Sequence, residues 1–172
     1  MRAPEPPADG VRASLVVVGG VSGAGKTTLG EQLAAALATP FVEGDGLHLP
    51  ESIEKMSSGI PLDDEDRADW LDRVGRTLAA HSGTGLVITC SALKRRYREA
   101  ILAHCPEVVF VMLTPPAELI RERLAQRTGH FMPPSLLDSQ LAAFEPLAPD
   151  EHGVAVGSDI AVGELVAQAG LR

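Results

Sequence analysis

Gly20-Val21-Ser22-Gly23-Ala24-Gly25-Lys26-Thr27 fits G-x-x-x-x-G-K-[ST], the phosphate-binding loop. The run Ser14-Leu15-Val16-Val17-Val18 ahead of it reads as a buried parallel strand. Behind it, Leu29, Leu33 and Leu37 recur four apart, as one apolar face of a helix does. The glycines therefore fall at a strand-to-helix turn. There, main-chain N–H groups converge on a polyphosphate at the positive end of a helix. In such a loop Lys26 reaches the β- and γ-phosphates, and the Thr27 hydroxyl takes a Mg²⁺ coordination place. The alternative is a glycine-rich turn without a ligand. All four fixed positions agree in a chain with only three lysines, and strand and helix stand where the motif needs them.

At 172 residues the chain is expected to be one domain with a full α/β core, residues 14–172, preceded by a flexible tail over 1–13. Its 45% hydrophobic content is ordinary, and no apolar run approaches the roughly 20 residues of a membrane span. Early prolines and acids, with no apolar signal core, suggest a cytoplasmic protein. Cys90 and Cys105 lack metal spacing and read as two reduced thiols. A net charge of −8 argues against a nucleic-acid surface, so an anionic substrate must be held by a local basic cluster.

Working outward, Pro40-Phe41-Val42-Glu43 is expected to be a second strand ending at Gly44-Asp45-Gly46. Carboxylates at a strand's C-terminal end point into the crevice where open α/β sheets bind ligands. Asp45 is thus a candidate base for a substrate hydroxyl, against a plain turn residue between glycines. Glu43 is a candidate outer-shell partner of Mg²⁺. Residues 47–61 form a mixed helix-and-loop insert in which His48 and Lys55 stand out, although a solvated surface is the commoner place for either. Asp63-Asp64-Glu65-Asp66 reads as a helix N-cap and first turn, where acids suit the dipole. Arg67 differs, since its planar fork suits a carboxylate or phosphate. Trp70, Leu71, Val74 and Leu78 continue that helix with core spacing.

Leu86–Cys90 is the third expected strand, and no Asp ends it, which shifts metal-binding weight onto Glu43 and Asp45. Lys94 lies just beyond, on the crevice side, whereas Arg95, Arg96 and Arg98 read as solvated. Val108–Leu113 is the fourth strand, followed by a helix from Pro116 or Ala117 bearing Arg121, Arg123 and Arg127. A Gly/Pro interruption precedes a further helix over Ser135–Phe144. This pattern fits a mobile lid at about 127–135, or an ordinary helix–helix connection, which spacing alone favours. Val154–Val156 and Val162–Ala169 close the chain as a strand and a helix.

The stretches GVSGAGKTT (20–28), EGDGLH (43–48), IEKMSSGIPLDDEDR (53–67), CSALKRRYRE (90–99) and RLAQRTGHFMPPSLLDSQ (123–140) run through most of the chain in order. With them the chain resembles the gluconate kinases, small phosphate-loop kinases related to shikimate and nucleoside monophosphate kinases. The resemblance implies a three-layer α/β/α fold with a five-stranded parallel sheet and a small lid, commonly as a homodimer. It implies phosphorylation of D-gluconate at its 6-hydroxyl by ATP. Two departures stand out: His48-Leu49-Pro50-Glu51-Ser52 replaces the usual His-Pro-x-x-Asn, and Ala68-Asp69-Trp70 replaces x-Pro-Trp.

On this resemblance ATP is held by Gly20 to Thr28, the loop with Thr28 added, together with Arg123 and Arg127. Mg²⁺ sits on Thr27 with Glu43 or Asp45 in support. Asp45 deprotonates the acceptor, while Lys26 and Arg127 offset charge at the transferred group. His48, Arg67, Ser91 and Lys94 hold the sugar acid, with His130 and Gln140 closing from the lid side. The near rival is a kinase for shikimate or a nucleoside monophosphate, although Cys90–Lys94 stands where shikimate kinases carry a glycine triplet. The distant rival is a nucleotide-binding regulator. A guanine switch is excluded because the chain has no asparagine for N-K-x-D.

Overall fold

The computed structural model describes residues 13–127 and 135–172. Five parallel strands form one sheet: β1 (Leu15–Gly19), β2 (Phe41–Val42), β3 (Leu86–Thr89), β4 (Val109–Leu113) and β5 (Gly153–Val156), in the order β2-β3-β1-β4-β5. Central β1 is buried at every residue, as a strand covered on both faces must be. Alternate side chains serve two cores. Val16 and Val18 join Leu33, Val87, Val111 and Leu165, with α1 (Lys26–Leu37) and α7 (Val162–Ala169) covering that face. Leu15 and Val17 join Trp70, Leu78, Ile88 and Phe110, under α3 (Asp64–Ala80) and α4 (Arg95–Leu102). The three layers expected from the sequence are present.

Element ends move by a residue or so, and β2 shrinks from the expected four residues to two. Pro40 offers only its carbonyl, which accepts the Val87 N–H at 3.0 Å. At the other end the Gly44 N–H leaves the ladder for the Thr89 hydroxyl at 3.0 Å. The chain then turns through a short 3₁₀ helix, Gly44–Leu47, into α2 (Pro50–Ser57). Gly44 passes so close to β3 that a Cβ there would stand 1.7 Å from the Thr89 carbonyl oxygen. The indole N–H of Trp70, on α3, fastens the same corner by donating to the Gly44 carbonyl at 2.9 Å.

The expected N-cap at Asp63 is present as a reciprocal pair: Asp66 N–H donates to Asp63 at 2.8 Å and Asp63 N–H to Asp66 at 3.1 Å. Asp66 also takes Lys55 at 2.8 and 2.9 Å, so Lys55 braces α2 on α3 rather than facing the crevice. α5 (Ala117–Gln126) and α6 (Ser135–Ala143) flank the segment that holds most of the expected lid and His130, which lie outside the described residues. Both cysteines are free and buried, and burial pushes the Cys90 thiol up to about 12, away from nucleophilic use. No helix among the described residues is long and apolar enough to cross a membrane.

Candidate active site

The loop leaves β1 and enters α1 through three left-handed glycines, Gly20 (φ 133°), Gly23 (φ 80°) and Gly25 (φ 101°). Gly25 is the helix N-cap and supplies no side chain to its first turn, which leaves those N–H groups to a ligand. Lys26 lies across the loop and donates to the Gly20 and Val21 carbonyls, each at 3.0 Å. Burial lowers its pKa, opposed by the charges of Asp45 and Glu43 nearby. The loop is also tied to the segment that follows β3, since the Gly20 N–H donates to the Ser91 carbonyl at 3.0 Å.

Glu43, at the end of β2, accepts the Thr27 hydroxyl at 2.7 Å with one oxygen and the Thr89 hydroxyl with the other. The two hydroxyls hold this carboxylate at the first turn of α1, beside the position expected for a metal. Among the described residues no group of three or more His, Cys, Asp or Glu side chains forms a metal cage. Mg²⁺ keeps several waters and binds through one or two protein oxygens plus substrate phosphates. Thr27 with Glu43 fits such a site. Asp45 stands exposed on the 3₁₀ turn, near enough for its charge to act on Lys26.

Two openings flank the loop. One, of about 470 Å³, is lined by Gly23, Gly25, Thr28, Leu29, Gln32, Leu113, Arg123, Gln126, Arg127, Ser158 and Ile160. The expected Thr28, Arg123 and Arg127 are there. Arg123 is anchored, donating to the Ala24 carbonyl at 3.2 Å and the Ser158 hydroxyl at 3.1 Å. Ser158 and Ile160 went unread in the sequence, although their place just after β5 put them at the ligand-binding end of the sheet.

The other opening, of about 280 Å³, lies between α3, α4 and α6. Arg67, Lys94 and Gln140 line it together with Pro61, Leu62, Asp63, Asp64, Tyr97, Ser139 and Ala143. Three motifs far apart in sequence thus meet in one pocket. Its two cations, Arg67 and Lys94, lie 5.4 and 5.5 Å from the Tyr97 ring centre, and the exposed Arg96 lies 5.7 Å from it. Asp64 is more than a helix-dipole acid. It accepts the Tyr97 hydroxyl, pairs with Arg96, and lies 3.5 Å from the Lys94 ammonium. Hydrogen bonding from Tyr97, aided by the two cations, holds its carboxyl below the usual range. Gln140 ties this opening to the phosphate loop, since its carbonyl accepts the Ser22 N–H at 2.7 Å.

His48 differs from a surface histidine. It is buried, stacked on Trp70 at 3.9 Å between ring centres, and its Nδ1 has no hydrogen-bond partner among the described residues. Burial, reinforced by the Arg67 charge, pushes its pKa down to about 4. The ring is therefore neutral at pH 7. Arg98 overturns its reading as solvated: it is fully buried and paired with Glu151 at 2.6 Å. Arg95 reaches Asp150 at 2.6 Å, whereas Arg96 stays largely exposed.

A family model described as an AAA domain matches residues 15–147. Over 163 residues the chain is 44% identical to a gluconokinase of Gluconobacter oxydans (strain 621H), covering 91% of this chain and 92% of that protein. An unliganded sugar kinase structure from Janibacter sp. HTCC2649 superposes with a TM-score of 0.84 at 45% identity, covering 91% of this chain and 92% of the other. The structure of a gluconokinase from Sinorhizobium meliloti 1021 gives 0.79 at 45% identity, over 91% and 89%. Phosphate loop, flanking pockets and relatives spanning almost the whole chain agree: the protein is a kinase and belongs to the gluconokinase family.

Proposed function

We propose that the chain transfers the terminal phosphoryl group of ATP to the 6-hydroxyl of D-gluconate, giving 6-phospho-D-gluconate and ADP. The observation that carries this reading is the pocket where Arg67 and Lys94 meet, across the phosphate loop from the nucleotide cleft. Lys94 already has Asp64 beside it, whereas Arg67 has no carboxylate partner among the described residues; a neutral polyol leaves that guanidinium unpaired, and a sugar acid supplies its anion. ATP lies in the larger cleft, its phosphates on the N–H groups of the loop, with Arg123 and Arg127 beside them. Mg²⁺ on Thr27, steadied by Glu43, neutralises charge on the β- and γ-phosphates when bound.

Asp45 orients the acceptor hydroxyl and takes its proton as that oxygen bonds to the γ-phosphorus. The bridging oxygen departs with ADP, its growing charge offset by Lys26 and Arg127. Neutral His48 hydrogen-bonds a sugar hydroxyl through the edge of its ring. Gln140 and, from the lid, His130 close over the acceptor. We also propose a cytoplasmic homodimer, in keeping with the family resemblance and two free thiols. The test is ADP release with ATP, Mg²⁺ and a panel of gluconate, other sugar acids, shikimate and AMP. Turnover confined to sugar acids and best with gluconate is expected. Preference for shikimate or AMP, or no turnover with any acceptor despite ATP binding, refutes the reading.

A further inference from the structure

The segment from Cys90 to Lys94, between β3 and α4, carries Lys94, which lines the smaller pocket, and Ser91, which the family resemblance sets against the acceptor. Its middle residue, Ala92, is fully buried and left-handed at φ 44°, a conformation that costs a non-glycine residue energy. Something must hold it there. Arg98, on α4, reaches back to donate to the Ala92 carbonyl at 2.9 Å and the Leu93 carbonyl at 3.3 Å. The rest of its fork grips Glu151 at 2.6 and 3.0 Å. Glu151 in turn accepts the Ala148 N–H at 2.8 Å. The same loop receives the Glu145 N–H on Leu93 at 2.8 Å, and Arg95 at its end returns a bond to the Glu145 carboxylate at 2.8 Å.

Neither Arg98 nor Glu151 lines the nucleotide cleft or the acceptor pocket. As a stability device the pair is poorly chosen, because well-packed apolar residues often replace buried ion pairs at no loss. An apolar residue, however, cannot cap two carbonyls of a left-handed turn. We infer that Arg98 and Glu151 are positioning residues: their buried pair holds the Ala92 turn, and through it sets where Ser91 and Lys94 stand against the acceptor. The inference rests on the acceptor role proposed for Lys94 and on the one the resemblance implies for Ser91.

The test uses Glu151→Gln, which keeps the size and one acceptor oxygen but removes the charge, and Ala92→Gly, whose glycine takes a left-handed φ without strain. In Glu151→Gln the KM for gluconate should rise about tenfold, while kcat and the KM for ATP stay within about twofold. Adding Ala92→Gly should bring the gluconate KM part of the way back. Amide exchange across residues 91–94 should quicken in the single variant and slow again in the double. A parallel rise of both KM values, or a lower Tm with both unchanged, overturns the inference, as does a second loss on adding Ala92→Gly. If the wild-type protein does not phosphorylate gluconate, the functional proposal falls but exchange still decides: unchanged exchange over 91–94 in Glu151→Gln refutes the positioning role, and quickened exchange reversed by glycine upholds it.

Discussion

Replacing His48 by glutamine should flatten the acid side of the stability profile. The ring is buried against Trp70, with Arg67 nearby, and titrates at about 4 instead of 6.5. Its folded pKa lies below the unfolded one, so between these values the unfolded chain binds the extra proton. Its contribution is therefore complete above pH 6.5, declines as pH falls, and is gone below about 4. At about 1.4 kcal/mol per pH unit of the gap, the whole effect is ~3 kcal/mol, of which ~2 kcal/mol is lost between pH 7 and 5. The carboxylates held low by hydrogen bonds, Asp64, Asp66, Asp150 and Glu151, titrate mostly below that interval. The assay is urea unfolding of both proteins from pH 7 to 5, analysed at a common m-value. The wild type should lose about 2 kcal/mol more than His48→Gln. Parallel profiles would show that His48 takes up its proton as readily in the folded protein as in the unfolded chain, and the account of a ring held neutral by burial would be wrong.

Three further outcomes concern catalysis. Lys26→Ala should lower kcat at least about 10²-fold, the scale of losing one preorganised electrostatic contact, and near-normal turnover would remove Lys26 from the mechanism. Asp45→Asn should cut kcat strongly and leave ATP affinity by calorimetry almost unchanged; collapse of ATP binding with turnover preserved would make Asp45 a metal ligand instead. Arg67→Ala and Lys94→Ala should each cost about 10- to 100-fold in kcat/KM for gluconate, while glucitol, a neutral analogue, stays poor and little worsened; equal proportional losses on both would rule out carboxylate recognition.

What the sequence disclosed and what it hid divide by range. The phosphate loop, β1 and α1 are adjacent in the chain, so hydrophobic period and glycine placement revealed them together. The Asp63 cap was likewise legible, because its partner Asp66 lies three residues on. Arg98 was not: what buries it is Glu151, 53 residues away, and a charge beside Arg95 and Arg96 looks like surface. Asp64 was read as a helix-dipole acid because Tyr97, its strongest partner, is 33 residues distant. His48 changes character through Trp70, which no local pattern pairs with it. Gln140 was expected near the acceptor, but its bond to Ser22 spans 118 residues and only the folded sheet brings the two together. Local regularity is written in neighbouring residues, whereas the charge state and accessibility of a site residue depend on partners that folding supplies.

Gly44 constrains how this enzyme can change. A methyl group there would stand 1.7 Å from the Thr89 carbonyl, so even alanine must push the strand end aside and move Glu43 and Asp45, the carboxylates on either side, together. Mutational drift at this corner is closed, and the chemistry it carries is inherited whole or lost whole. Ser139 and Ala143 on α6 line the pocket proposed for the acceptor with small, half-buried side chains. A descendant that acquires a new acceptor, in nature or in a directed-evolution library, should record the change on that wall while the Glu43–Asp45 corner passes through unaltered.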